Sequence, residues 1–152
     1  MNVGDELEPL THVVTRADIR AYAEAGGDRN PLHLDDDVAR AAGFDGVIAH
    51  GMFTMGHMAS CVVAWAGAGA FVERISAQFR APVRAGETIV AGGRVKAIDD
   101  DRVTVEAWVE LARDGQTRDG QTRDDQTEWP VRKGEVVVRL AGPVGTGVDA
   151  SG

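Results

Sequence analysis

The chain has 152 residues, a typical length for one domain and enough to bury roughly 68–70% of the surface its unfolded form exposes. Sixteen Lys and Arg stand against 24 Asp and Glu, a formal charge of -8, and no basic run occurs, which removes the electrostatic footprint expected for nucleic acid or an anionic membrane. The first residues carry neither a basic start nor an apolar stretch, the longest apolar run (58–72) is too short and too rich in Ala and Gly to span a bilayer, and the lone Cys61 forms no internal disulfide, so a cytoplasmic chain is expected.

Thr15 followed by Asp18 has the form of a capping box, and Ile19, Tyr22 and Ala23 make one apolar stripe before Gly26-Gly27. This predicts a short amphipathic helix. Three aspartates at 35–37 suit a helix N-terminus, as caps rather than ligands, and predict a second brief helix over 35–42, closed by Gly43. From Met52 to about Ala66 the chain is apolar nearly all round, with small residues at Gly56, Ala59 and Ser60, the pattern of a central helix enclosed by other structure. Cys61 reads as one of its buried small hydrophobes.

Downstream the period changes to two, most clearly where Val103, Val105, Ala107, Val109 and Leu111 alternate with Thr104, Glu106, Trp108 and Glu110. Residues 71–79, 87–98 and 135–141 also have strand character, with turns at Ala81-Pro82 and 99–101. The expected class is α+β, helices first and then a meandering antiparallel sheet wrapped around the apolar one. Gly92-Gly93 inside a good strand predicts a bulge or bend. A polar pentapeptide, Asp-Gly-Gln-Thr-Arg, occurs at 114 and 119 and degenerately at 124. It reads as an expanded hairpin loop over 114–130, between a strand ending near Arg113 and one starting near Val131, inserted into a single domain over 1–142, and the Gly-rich residues 143–152 read as a frayed tail.

The chemistry concentrates between Tyr22 and His57. Asp28 and His33 are five apart on a loop that Asn30-Pro31 stiffens, since Pro31 pushes Asn30 out of the helical region. A carboxylate and an imidazole held by a rigid turn make an acid/base pair; the competing reading is a turn-stabilising aspartate beside a satisfied histidine. A calcium loop fails, because counted from Asp28 the sixth position is His33 where glycine belongs and the twelfth is Ala39 where a bidentate Glu belongs. Gly51 opens the central helix, where unpaired N–H groups could hold an oxyanion, or where glycine simply allows close packing. His50 and His57, seven apart, would lie about 10 Å apart along a helix axis, too far to share one metal ion.

The run Gly27-Asp28-Arg29-Asn30-Pro31-Leu32-His33, followed by five residues and Ala39, resembles the signature of MaoC-like (R)-specific enoyl-thioester hydratases and 3-hydroxyacyl-thioester dehydratases. Ala49-His50-Gly51-Met52 and Phe79-Arg80-Ala81-Pro82-Val83 are similar to that family too, and 48–55 with the Trp65 region look most like catalytic dehydratase subunits of actinobacterial fatty-acid elongation. The resemblance implies a hot-dog fold paired into a homodimer or heterodimer. It also implies an acyl-CoA or acyl carrier protein thioester as substrate, and neither cofactor nor metal. By carry-over Asp28 and His33 are catalytic, and Asn30, Pro31, His50 and Ser60 support them. The Gly51 amide then polarises the thioester carbonyl. Apart from the carry-over, Arg74, Arg80, Arg84 and Arg94 are candidates for contact with the carrier's phosphate, Arg80 and Arg84 foremost. Family members often carry a serine where Ala59 stands; Ser60 is adjacent but about 100° round the helix.

Two rival classes are distinguishable by sequence. A hot-dog thioesterase needs no Asp-x-Asn-Pro-x-His loop, and a silent structural subunit would have lost Asp28 or His33; both residues are present. A third possibility is one half of a heterodimeric dehydratase that needs its partner for activity.

Overall fold

The computed structural model describes residues 1–112 and 128–142; the pentapeptide repeat and the Gly-rich tail fall outside them. In chain order the elements are β1 (Leu10–Val13), α1 (Arg16–Gly26), a 3-10 turn (Pro31–His33), α2 (Asp36–Ala41), α3 (Gly51–Ala66), β2 (Phe71–Phe79), β3 (Thr88–Asp99), β4 (Arg102–Ala112) and β5 (Val131–Arg139). The strands form one antiparallel sheet in the order β1-β3-β4-β5-β2.

Local signals account for most boundaries. Thr15 caps α1 in a reciprocal box with Asp18, and Gly27 ends it in the left-handed region at φ 73°. Asp35 caps α2 by accepting from the N–H groups of Asp37 and Val38. Its neighbour Asp36, expected as another cap, does something else: it accepts from Arg16 and from the Val47 N–H at 3.0 Å, tying α2 to the strand-like segment that leads into α3.

α3 lies in the hollow of the sheet and packs on β2, β3, β4 and β5. Met58, Cys61 and Val62 on one side of it are buried together with Ile89, Ala91, Val95, Val103, Val105, Val109, Val131, Val136 and Val138 from the strands. This is the hot-dog arrangement. The close seat of the helix depends on Gly134 in β5, where a Cβ would collide with the Ala107 carbonyl and the Met58 sulfur. The apolar character of α3 is not matched by burial all round, for Met52 and Val63 face outward at 51% and 40% exposure.

β1 was not legible beforehand; β5 begins at Val131, where the strand after the hairpin loop was expected, and the strand character over 135–141 belongs to its second half. The bend expected at Gly92-Gly93 takes another form. The β3–β4 register runs unbroken through both glycines, and a Cβ on Gly92 would lie 2.8 Å from the Trp108 Nε1. The irregularity sits on the other side, where Glu6 bridges Arg94 and Leu10 pairs with Ala91, so that residues 7–9 stand opposite only 92 and 93.

Candidate active site

Three short segments meet at the N-terminus of α3. The loop after α1 brings Asp28 and His33, the segment 47–50 brings backbone carbonyls and His50, and the end of β2 brings Phe79. Two nested turns stiffen the loop: the Asp28 carboxylate accepts from the Asn30 N–H at 3.2 Å, and the Asn30 side chain accepts from the Leu32 N–H at 3.0 Å. Pro31 then starts the 3-10 turn that carries His33.

His33 is oriented by the backbone. Its Nδ1 lies 2.7 Å from the Ile48 carbonyl oxygen, an acceptor only, so Nδ1 carries the proton and Nε2 presents a lone pair. His50, the residue capping α3, is 3% exposed; its Nε2 donates to the Asp28 backbone carbonyl at 2.9 Å and lies 3.9 Å from the Asp28 carboxylate. The His33 and His50 rings stack with centroids 3.7 Å apart, and Tyr22 packs on the other ring at 5.0 Å. His50 Nδ1 is buried without a partner among the described residues.

Asp28, His33 and His50 therefore cluster, with one nitrogen or oxygen from each within 4.8 Å of the others. The cluster does not fit a metal ion. His33 Nδ1 and His50 Nε2 are taken by carbonyls, and the nitrogens left over belong to rings inclined by only 27°, whose in-plane lone pairs do not converge on a point about 2.0–2.1 Å from both. What the cluster can do is exchange protons. The Asp28 side chain is 58% exposed and the Nε2 of His33 has no hydrogen-bond partner among the described residues, so both are open to a reactant.

Gly51 is the first residue of α3, and no side chain caps that end, which leaves its N–H available at the positive end of the helix. A Cβ at this position would meet the Phe79 ring at 3.2 Å. Glycine thus lets the Phe79 ring pack closely against the start of the helix.

Of the other expected site residues, Ser60 is exposed and donates to the Gly56 carbonyl at 3.0 Å, away from the pair, and Ala59 offers no hydroxyl. The support that a serine would give comes instead from the Ile48 carbonyl and from His50. Arg84 pairs with Asp45 at 3.2 Å and with Glu87 at 4.0 Å, whereas the Arg80 guanidinium donates to Gln78 at 2.6 Å. Tyr22, Ile48 and Phe79 were not singled out for the site beforehand. Only Tyr22 carried a usable signal, an aromatic on the inner stripe of the helix preceding the loop.

A curved sheet around one helix, with an aspartate-histidine pair and an uncapped glycine at that helix's N-terminus, defines a hot-dog protein equipped for acid/base work. Residues 2–110 match the family described as MaoC like domain, and the chain belongs to that family. It is 40% identical over 98 residues to the mitochondrial 3-hydroxyacyl-[acyl-carrier-protein] dehydratase of Arabidopsis thaliana, covering 64% of this chain and 57% of that one. The (R)-hydratase from A. caviae involved in PHA biosynthesis has the same fold with a TM-score of 0.74, 27% identity, and coverage of 92% of this chain and 97% of the other. The ChsH1-ChsH2 complex from Mycobacterium tuberculosis shares the fold with a TM-score of 0.77 at 23% identity, covering 91% and 98%. The chain spans just over half the length of the curated relatives it matches, 57%, 53% and 58% for three of them.

Proposed function

We propose that the chain catalyses the reversible hydration of trans-2-enoyl thioesters to (3R)-3-hydroxyacyl thioesters. The observation that carries this reading is the clustering of the Asp28, His33 and His50 side chains beside the uncapped N-terminus of α3, which Gly51 opens. In the hydration direction Asp28 and His33 grip one water. Its oxygen bonds to C3 as the pair takes up one of its protons, and the pair returns a proton to C2. The negative charge that develops on the thioester oxygen meanwhile rests on the Gly51 amide. Positioned acid/base groups give ~10²–10⁴ in rate and one oxyanion donor ~10²–10³, which together are a large share of a useful acceleration.

The substrate class follows from relatives named as a 3-hydroxyacyl-[acyl-carrier-protein] dehydratase and an (R)-hydratase. A second hot-dog subunit belongs to the same reading. Sheet order leaves β2 at an edge, where Phe71 is 67% and Phe79 49% exposed, and Met52 is exposed on α3 close by. Pairing there would cover these apolar groups and screen a half-open Asp28 from bulk water, which strengthens the electrostatics of the site. Cytoplasmic placement completes the reading; among the described residues no helix is long and apolar enough to cross a membrane.

The test is loss of the conjugated enoyl-thioester absorbance on mixing with trans-2-enoyl-CoA of several chain lengths, with chiral analysis of the product and the particle mass measured in parallel. Turnover to the (3R) product by a dimeric particle is expected, and Asp28→Asn or His33→Ala lowers kcat by at least about 10². Absence of turnover at every chain length, alone or with candidate partner subunits, would overturn the assignment; a monomeric active particle would overturn the pairing.

A further inference from the structure

Asp36 lies three residues beyond His33, at the start of α2, and its carboxylate is held from two sides. It accepts from the Arg16 guanidinium at 3.0 and 2.8 Å and from the Val47 N–H at 3.0 Å. Building on the hydratase reading, we infer that Asp36, anchored by Arg16, is a positioning residue for His33: it sets the spacing at which the Ile48 carbonyl meets the imidazole, and so keeps the proton on Nδ1 and the lone pair on Nε2.

The geometry is that of a short ladder made by side chains. Residues 33 and 36 reach across to 48 and 47 as two rungs, the His33 Nδ1 donating to the Ile48 carbonyl at 2.7 Å and the Asp36 carboxylate accepting from the Val47 N–H. The direct backbone link between the two segments, Ile48 N–H to the Leu32 carbonyl, is stretched to 3.5 Å. The Asp36 rung is therefore the firmer tie. On the far side of the same peptide the Ala49 N–H donates to the Val83 carbonyl at 2.7 Å. That bond fixes the plane of the Ile48 carbonyl, and Asp36 fixes how near the His33 turn comes to it.

Two further observations fit a strut. Arg16 is the first residue of α1, and the other end of that helix leads through Gly27 into Asp28, so one carboxylate joins the helix before the catalytic loop, the helix after it and the segment that orients His33. Gly46 is shaped to the carboxylate: a Cβ there would lie 3.1 Å from the Asp36 Oδ1. Gly46 is not among the glycines with positive φ, so space rather than backbone conformation calls for it. The Val47 N–H first, and then Arg16, hold the Asp36 carboxyl below its usual range, which keeps the rung charged throughout neutral pH.

Nothing in an imidazole itself holds the proton on Nδ1; the hydrogen bond does. Proton–nitrogen correlation spectra of isotope-labelled histidines, in mildly alkaline solution, report which ring nitrogen is protonated, and His33→Ala identifies the His33 signals. Wild type is expected in the Nδ1–H form. Asp36→Ala moves His33 toward a mixture with the Nε2–H form and lowers kcat on trans-2-enoyl-CoA about tenfold with KM nearly unchanged. Asp36→Asn keeps an oxygen for the Val47 N–H and recovers most of both. Gly46→Ala crowds the carboxylate while keeping every polar group, so it tests the strut even where alanine at 36 fails to fold; it shifts the tautomer the same way, to a smaller extent. An unmoved His33 tautomer in Asp36→Ala and Gly46→Ala, or no recovery in Asp36→Asn, overturns the strut. The tautomer is read without substrate, so the two readings fail separately: absence of turnover by wild type contradicts the hydratase reading, and an unmoved tautomer contradicts the strut.

Discussion

His50 holds the Asp28 backbone with one nitrogen and leaves the other buried and unpaired. An orphaned buried acceptor costs about 1–3 kcal/mol, roughly what a well-made hydrogen bond returns, so this imidazole is retained at little or no gain in stability. Its value lies in what it positions. His50→Phe keeps a flat ring against His33 and Tyr22 but loses the N–H to the Asp28 carbonyl. We expect kcat to fall about tenfold while the denaturation midpoint stays level or rises; a large loss of stability with full activity would show that His50 is merely structural. Chemical denaturation and steady-state rates on the same variant separate the two. Asp28 and His33 were legible in the sequence because a proline-stiffened turn between two helices is a local feature. His50 was expected in support of the pair, but its contact with the Asp28 carbonyl was not legible, because the seven-residue spacing from His57 drew it along α3 whereas the fold turns it back across the Asp28 loop.

At the scale of elements, the seat of α3 on β5 is decided by absence of volume. Gly134 lets Met58 and the Ala107 carbonyl approach from opposite sides, and neither the strand backbone nor the buried methionine has room to withdraw. Gly134→Ala is expected to cost about 2–3 kcal/mol, read as a lowered urea midpoint, with an unchanged midpoint refuting the account of the helix seat. Helix caps and the long alternation of β4 could be read from the chain, since each is set by neighbours within a few residues. β1, four residues long with Val13 exposed, has no alternation to read and exists because β3 offers it an edge. The alternation of β5 was legible only from 135 onward, because the bulge at Lys133 interrupts its period of two.

At the scale of the whole molecule, β1, α1 and α3 are joined through histidines. His57 on α3 donates to the Leu10 carbonyl at 3.1 Å and faces His12 on β1 at 5.5 Å, while His12 contacts Asp18 on α1 at 3.1 Å. Burial pushes the His57 imidazole below its ordinary range and His12 adds to this, against the opposing Leu10 carbonyl. The unfolded chain therefore takes up this proton at a higher pH than the folded one, and stability falls as pH drops through and below the ordinary imidazole value of about 6.5. Asp18, held down first by the Thr15 hydroxyl, and Asp36, held down first by the Val47 N–H, shift so that stability is present above the usual carboxylate range and is lost only in stronger acid. Urea midpoints should decline from pH 7.5 to 5.5, and His57→Gln, which keeps a donor for Leu10 without titrating, should flatten that decline; an unaltered slope would exclude His57 as its source.

The central claim is that Asp28 and His33 act as one unit on one water, and the kcat of Asp28→Asn, His33→Ala and the double variant on trans-2-enoyl-CoA tests it most directly. Residues that act together are strongly non-additive, so the double variant should be no slower than the slower single variant by more than about threefold. Multiplication of the two single losses, or single variants as fast as wild type, would contradict it.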